Sequence, residues 1–513
     1  MAELTVTRYS HHFSVTRMTP RGRTAVSQFA RRYIEYTLKK RRGRPGFDEV
    51  PDCTFATATA DRFEYRFHIN QMQDFQDHVR AFDLGMDGLV EYIDVPLKEP
   101  RKVELRVQPQ WKPREKYKQP EAIEFLTDTR LRRKLLGMPT GYGKSYSTMQ
   151  AIANLSLLSF WCLRGGFVEK TRLDLLKTYD IQNEDIWVIN GTKDLKLMLL
   201  MAMSGPLDCK VILMGNKLMQ IWMSLYQKLR EGTLDVGYSC LPHEFYEHIG
   251  VGVRVIDEVH LDFHMNFLQD LHSHVWMSFS LSATMLTDNP FRNRMYQLAY
   301  PLNERFEVDY VPYISATSIT YEFEKPERIK VMGKQGTYSH HVFEESLMKD
   351  KKVLAGYVNM IKLVVQKELL QDRVPGERMA IYAAGVEFCS YLVDELSKMF
   401  PELNIVRYCG SANDPYDDLL TCDLAVTTLG SAGTNVDIPN LKCVLLTTAV
   451  DSSQSNVQGF GRLRDALAEG RVPRFVWFTC PQIGRQVIYH QNKVELLRSR
   501  AKTLNTQYYG VPL

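Results

Sequence analysis

The chain has 513 residues, more than one hydrophobic core ordinarily serves, so several domains are expected. A composition of 44% hydrophobic, 24% charged and 11% aromatic residues excludes a disordered or low-complexity protein. Sixty-four Lys plus Arg against 60 Asp plus Glu leave a formal charge of +4, too little to announce a polyanion partner, so any basic surface must be local.

Charge concentrates at the head of the chain, where the first 50 residues hold eleven Lys/Arg against four Asp/Glu, densest at Lys39, Lys40, Arg41, Arg42 and Arg44. The apolar periodicity there predicts a strand over 13–18, a helix over 25–40, a strand over 54–69 and a helix over 72–82. Residues 1–100 are therefore expected to form a small basic α+β domain. A Pro-punctuated stretch, 95–120, reads as the connection onward.

Beyond it, short apolar strands alternate with helical stretches: LLGMPT, IWVING, KVILMG, VRVIDEV and FSLSAT, then MAIYAAG, IVRYCG, LAVTTL, CVLLTT and RFVWFT. Alternation of this kind predicts parallel sheets covered by helices on both faces. It occurs twice, which gives two α/β domains in tandem over 110–312 and 313–490, with 491–513 as a C-terminal helix or tail. The nine cysteines (53, 162, 209, 240, 389, 409, 422, 443 and 480) contain no CxxC pair and no metal-ligand spacing. They are expected to be reduced thiols of a cytoplasmic protein. The longest apolar stretches, 155–162 and 195–203, fall short of the roughly 20 residues a bilayer needs, so no membrane partner is expected.

Chemistry enters with MPTGYGKS (138–145), which follows an apolar strand and precedes a helix-compatible stretch. In that context a glycine-rich loop turns backbone N–H groups onto phosphates. Thr140, Gly141, Tyr142 and Gly143 would form the cradle, Lys144 would reach the β and γ oxygens, and Ser145 would help hold Mg²⁺. The strict GxxxxGK[ST] pattern is not met, because Met138 stands at its first Gly. VRVIDEVH then places Asp257 and Glu258 at a strand end. Asp257 can hold Mg²⁺ while Glu258 orients and deprotonates the attacking water. The alternatives are a solvated acidic pair and, for His260, a structural histidine. In the second set, QGFGRLRD (458–465) offers Gln458, Arg462 and Arg464, planar cations suited to charge on a transferred phosphoryl, or else a solvated basic turn.

These motifs resemble, in order, those of superfamily 2 DExH-type helicases and translocases, and within them most closely the bacteriophage UvsW-like DNA helicases. The resemblance covers about residues 110 to 480. It rests on Gln119 with Ala122, MPTGYGKS, DEVH, the SAT of Ser282 and Thr284, then Gly430, Thr434, Asn440 and Leu441, and QGFGRLR. It implies two RecA-like domains with ATP in the cleft between them and a nucleic-acid strand across both. Gln119 would then face the adenine, Ser282 and Thr284 would couple hydrolysis to motion, and Thr434 would touch the strand. Asp465 stands where the second arginine of QxxGRxxR is usual, so either Arg462 or Arg464 is the finger.

The expected function is an ATP-dependent helicase or translocase on single-stranded, forked or branched DNA, with replication or recombination proteins as further partners. An RNA helicase, or an ATP-controlled DNA-binding remodelling subunit that does not unwind, are the alternatives. At the head, Arg42-Gly43-Arg44-Pro45 matches the RGRP core of AT-hook peptides. Lys39 to Arg44 are accordingly expected on nucleic acid, by minor-groove insertion or by phosphate contact, or else form a solvated basic loop after a helix.

Overall fold

A computed structural model describes residues 2–41, 46–84, 89–228, 237–283, 289–333, 336–409, 416–432, 438–451 and 471–513, with positions 456, 460, 461 and 463. The chain divides into two compact units, the first over residues 1–285 and 289–308 and the second over 309–513.

The first unit begins with β1 (Leu4–Arg8), β2 (His12–Thr16), α1 (Pro20–Arg31), β3 (Ile34–Lys40), β4 (Phe47–Thr54), β5 (Thr57–Ala58), β6 (Tyr65–His68), α2 (Met72–Ala81) and β7 (Val90–Asp94). Five of these strands make a sheet in the order β5-β6-β2-β1-β7, and β3 pairs with β4 as a separate antiparallel ribbon. Two expectations are corrected here. The helix foreseen over 25–40 stops at Arg31, and Ile34, Tyr36 and Leu38 alternate in the ribbon, because a period of two takes over once the Phe29 face has been buried. The strand foreseen over 54–69 is broken by a turn, where Thr59 and Asp61 take the N–H of Phe63 and Arg62 adopts a left-handed φ of +56°.

The second part of the same unit carries β8 (Arg133–Gly137), β9 (Ser159–Leu163), β10 (Ile186–Ile189), β11 (Val211–Gly215), β12 (Val253–Ile256), β13 (Met277–Ser282) and β14 (Arg305–Glu307). All pair in parallel, in the order β10-β11-β9-β12-β13-β8-β14. One apolar cluster runs from Leu4 through this sheet to Tyr300, so the N-terminal module shares its core. A polar seam reinforces the junction. The buried Arg66 donates to His12 Nε2 (3.0 Å), His243 Nδ1 (3.1 Å) and Tyr226 Oη (3.2 Å), and pairs with Glu64 (2.8 Å). Burial, the largest cause, and the Arg66 guanidinium hold His12 and His243 well below the usual histidine range, which leaves them neutral acceptors for Arg66. Arg133 adds donors to Ser10 O (2.9 Å) and Asn70 Oδ1 (2.8 Å).

The second unit carries β15 (Ile314–Thr320), β16 (Arg378–Ala383), β17 (Ile405–Tyr408), β18 (Leu424–Thr428), β19 (Leu441–Leu446), β20 (Arg474–Thr479) and β21 (Ala501–Tyr508), again all parallel. Met379, Ile381 and Ala383 of β16 face one core and Ala380 and Tyr382 the other, as expected of a strand covered on both sides. Residues 501–508, expected in a helix or tail, form the edge strand beside β15. Numbered in chain order within each seven-stranded sheet, both have the strand order 3-4-2-5-6-1-7. The α/β class with two tandem parallel sheets therefore stands as read from the sequence. Among the described residues no helix is long and apolar enough to cross a membrane.

Candidate active site

The glycine-rich loop joins β8 to α4 (Lys144–Leu155). Its turn requires glycine at two positions: Gly141 and Gly143 take φ of +87° and +89°, a region that costs other residues about 1 to 2 kcal/mol. A Cβ on Gly143 would also collide with the side-chain nitrogen of Gln119. Gln119, at the start of α3 (Gln119–Thr127), donates to Tyr142 O (2.8 Å) and accepts from Arg114 N (2.8 Å). Both ends of its amide are thus engaged with main chain, and it buttresses the loop from behind. Tyr117 lies against Tyr142, ring centroids 4.7 Å apart.

Lys144 is 7% exposed, donates to Met138 O (3.0 Å) and stands 3.7 Å from Glu258 Oε1. Asp257 and Glu258 follow β12, and β13 separates that strand from β8, so both motifs emerge at carboxyl ends of one parallel sheet. Ligands of open α/β sheets collect at that edge. Asp257 accepts from Glu258 N (2.9 Å), and Glu258 itself holds a left-handed φ of +48°. A bulky residue in that region is strained, and such strain concentrates where a side chain must be aimed.

Burial and the neighbouring Glu258 push Asp257 above the usual carboxylate range, against the pull of Lys144 and Lys170. A carboxylate so placed calls for a cation. Ser145 in the first turn of α4 and Asp257 supply hard oxygen donors, so these residues fit Mg²⁺.

His260 lies between the acidic motif and Ser282. Its Nδ1 lies 2.9 Å from Ser282 Oγ and 3.3 Å from Glu258 Oε2, while Ser282 O accepts from Met138 N (3.1 Å). Burial lowers its pKa, so it bridges as a neutral ring. Ser282 therefore joins the acidic motif to the glycine-rich loop. Thr140 is partly exposed at the loop's start.

Sequence reasoning missed Lys170 and the pair Arg164–Asp262 (3.1 Å), which follow β9 and the acidic motif. Their signal was weak, because no motif marks them. In the second unit Gly430 lies in a short helix (Leu429–Ala432), and Asn440, at φ +52°, leads into Leu441 of β19. Thr284, Thr434, Gln458, Arg462, Arg464, Arg42 and Arg44 fall outside the described residues. Lys39 and Arg41 are exposed at the end of β3, Arg41 paired with Asp48 (2.7 Å), and Lys40 stands opposite Phe47.

No protein-family model matches the sequence, and no curated protein matches it. Solved structures do share its fold. One is a single-residue variant of S. cerevisiae Dbp5 bound to RNA and ADP BeF3, at 11% identity, covering 76% of this chain and 89% of that one, with a TM-score of 0.50. Another is the DEAD-box helicase Mss116 bound to ssRNA and UDP-BeF, at 15% identity, covering 77% and 74%, with a TM-score of 0.50. The chain thus has the tandem RecA-like fold of those two proteins.

Proposed function

We propose that the protein is an ATP-dependent helicase or translocase of superfamily 2, acting on DNA. The observation that carries this is the convergence of Lys144, Asp257, Glu258 and the His260–Ser282 bridge at one sheet edge. Lys144 would leave Met138 O for the β and γ phosphates, and Glu258, released from Lys144, would align a water and take its proton. Mg²⁺ held by Ser145 and Asp257 would supply charge neutralisation across the phosphates. His260 and Ser282 would relay the position of Glu258 to the loop. Gln458 and either Arg462 or Arg464, from the second set of strands, would act on the same nucleotide. The motif order supports a DExH-type enzyme of the UvsW-like kind, with forked or branched DNA as substrate. Two solved proteins of this fold are bound to RNA, which favours an RNA helicase as the second reading.

Glu258→Gln tests the core of the proposal. It should retain nucleotide and lose about 10²- to 10⁴-fold in stimulated turnover, the usual worth of a general base. Turnover within threefold of the parent would remove Glu258 from the chemistry. A panel of single-stranded, duplex, forked and four-way DNA with matched RNA then separates the substrates, and a strand-displacement assay separates unwinding from mere binding.

A further inference from the structure

The exposed face of α1 and the turn before β6 enclose a groove of about 550 Å³ lined by Met18, Pro20, Arg23, Thr24, Ser27, Gln28, Arg31 and Arg62. No carboxylate lines it, and Arg23, Arg31 and Arg62 form no ion pair among the described residues. The nearest acid in sequence, Asp61, is committed to the turn through Phe63 N (2.9 Å) and Thr59 Oγ1 (2.7 Å). Arg23, Ser27 and Arg31 recur every four residues, so they line one side of α1 over about 12 Å at 1.5 Å per residue.

The helix sets one of these cations where its own stability would not: Arg23 stands in the first turn of α1, which contains no acidic residue, whereas Arg31 stands in the last turn, where a cation is favoured. The partial positive charge of a helix N-terminus disfavours cations there by about 0.3 to 1 kcal/mol each. A local rule broken without a structural return points to function. The groove is also held rigidly. Thr19 caps α1 through Gly22 N (3.2 Å), Thr19 N bonds Glu3 O (2.9 Å), and a Cβ on Gly22 would press to 2.8 Å from that same carbonyl.

We infer that this groove of the N-terminal module binds the sugar–phosphate backbone of a nucleic acid, apart from the basic ribbon at Lys39 to Arg44. Three free guanidinium groups, hydroxyl and amide donors and the helix N-terminus complement a row of phosphates and offer nothing to a cation. The inference deepens the function proposed above and rests on it for the choice of polyanion.

The test uses the full chain and labelled single-stranded and duplex DNA in a salt series, without nucleotide. Arg23→Ser, Arg31→Ser and Arg62→Ser together should flatten the slope of log K against log salt on duplex by about 2 to 3, since each phosphate contact contributes about 0.9. Ser27→Glu, which keeps every arginine but adds a carboxylate to the groove, should weaken binding at least several-fold and decides the matter if the triple variant does not fold. Substituting Lys39 and Arg41 by Ser in a separate variant should lower the slope independently. Unchanged slope and affinity in the triple variant and in Ser27→Glu would overturn the groove. ATP hydrolysis without nucleic acid should stay at the parental rate in all of them. Its absence from the parent itself would refute the enzyme while leaving the binding result standing.

Discussion

The two α/β units share one strand order and differ in what they hang on it. After β8, the first strand of the first parallel sheet, comes a loop with two left-handed glycines and a buried lysine; after the equivalent β15 comes Tyr321, followed by a 3-10 turn at Pro326–Arg328. The fifth strand of that sheet, β12, is followed by Asp257 and Glu258, whereas its counterpart β19 is followed by Thr447 and Thr448, whose hydroxyls bond Tyr382 O. Parallel topology supplies an edge where loops converge, and only the loop residues decide whether that edge does chemistry. The second strands make the same point in reverse. Beyond β9 stand Arg164, Gly165 and Gly166, while beyond β16 the N–H groups of Ala384 and Gly385 are taken by the buried Glu344 (2.8 and 2.7 Å).

If the second unit is catalytically dependent on the first and not merely its copy, its motif arginines should matter to turnover and little to binding. Arg462→Ala or Arg464→Ala, whichever is the finger, should depress the nucleic-acid-stimulated rate by roughly 10³-fold, the lower end of what such a residue contributes elsewhere. Nucleotide affinity should change by less than a few-fold. Stimulated ATPase and nucleotide binding measured on both variants decide it. Full stimulated rate in both would leave the second unit without a catalytic part.

A smaller effect is expected behind the loop itself. Gly143→Ala meets two obstacles, the left-handed backbone and the Gln119 side chain. It should weaken nucleotide binding by about 10-fold if the strain costs about 1 to 2 kcal/mol and falls on the loop. Gln119→Ala removes the collision but not the strain, so the double variant should bind better than the two single losses multiplied together predict. Strict additivity in that cycle, read by nucleotide titration, would mean that the two residues do not press on each other.

The contrast also explains what the sequence made legible. Ten of the strands were visible because both faces of a parallel sheet are buried and the residues read as apolar runs. β15 and β21 were not, because Ser315, Thr317 and Thr503 make them polar edge neighbours. β9 was legible only as part of the apolar stretch 155–162, since Ser159 to Leu163 is buried along its whole length. Strand β3 was misread because Ala30, Ile34 and Leu38 fall four apart and continue a helix-compatible count from α1. Residue types at fixed spacing singled out Lys144, Asp257 and Glu258, which the fold brings to one sheet edge. The bonds of the Gln119 amide to Arg114 N and Tyr142 O, by contrast, have no signature in the spacing of the sequence. Contacts such as Glu344 with Gly385 join residues some 40 positions apart and leave no local pattern at all.

That last contact gives the mildest way to separate the two units. Burial raises Glu344 to about 7, and its two backbone donors, the next causes, pull against this. His340 Nε2 lies 3.7 Å away, its ring kept neutral by burial down to about 3, and His341, Tyr338 and Tyr357 also face the carboxyl. A carboxyl whose folded pKa exceeds its unfolded value binds its proton more tightly when folded. The stability it contributes is full below about 4.5 and is lost as pH rises to about 7. Buried His340 tilts the other way at acid pH, so the comparison must be between the parent and Glu344→Gln, which share that histidine. Glutamine forfeits one acceptor at every pH but does not titrate. The variant should therefore gain on the parent between pH 5 and pH 8, by at most about 3 kcal/mol at 1.36 kcal/mol per pKa unit. Urea denaturation at several pH values measures the difference. A constant gap across that range would show that Glu344 stays ionised on the Ala384 and Gly385 amides throughout, making that seat a permanent anion cap in the second unit where the first leaves Gly165 and Gly166.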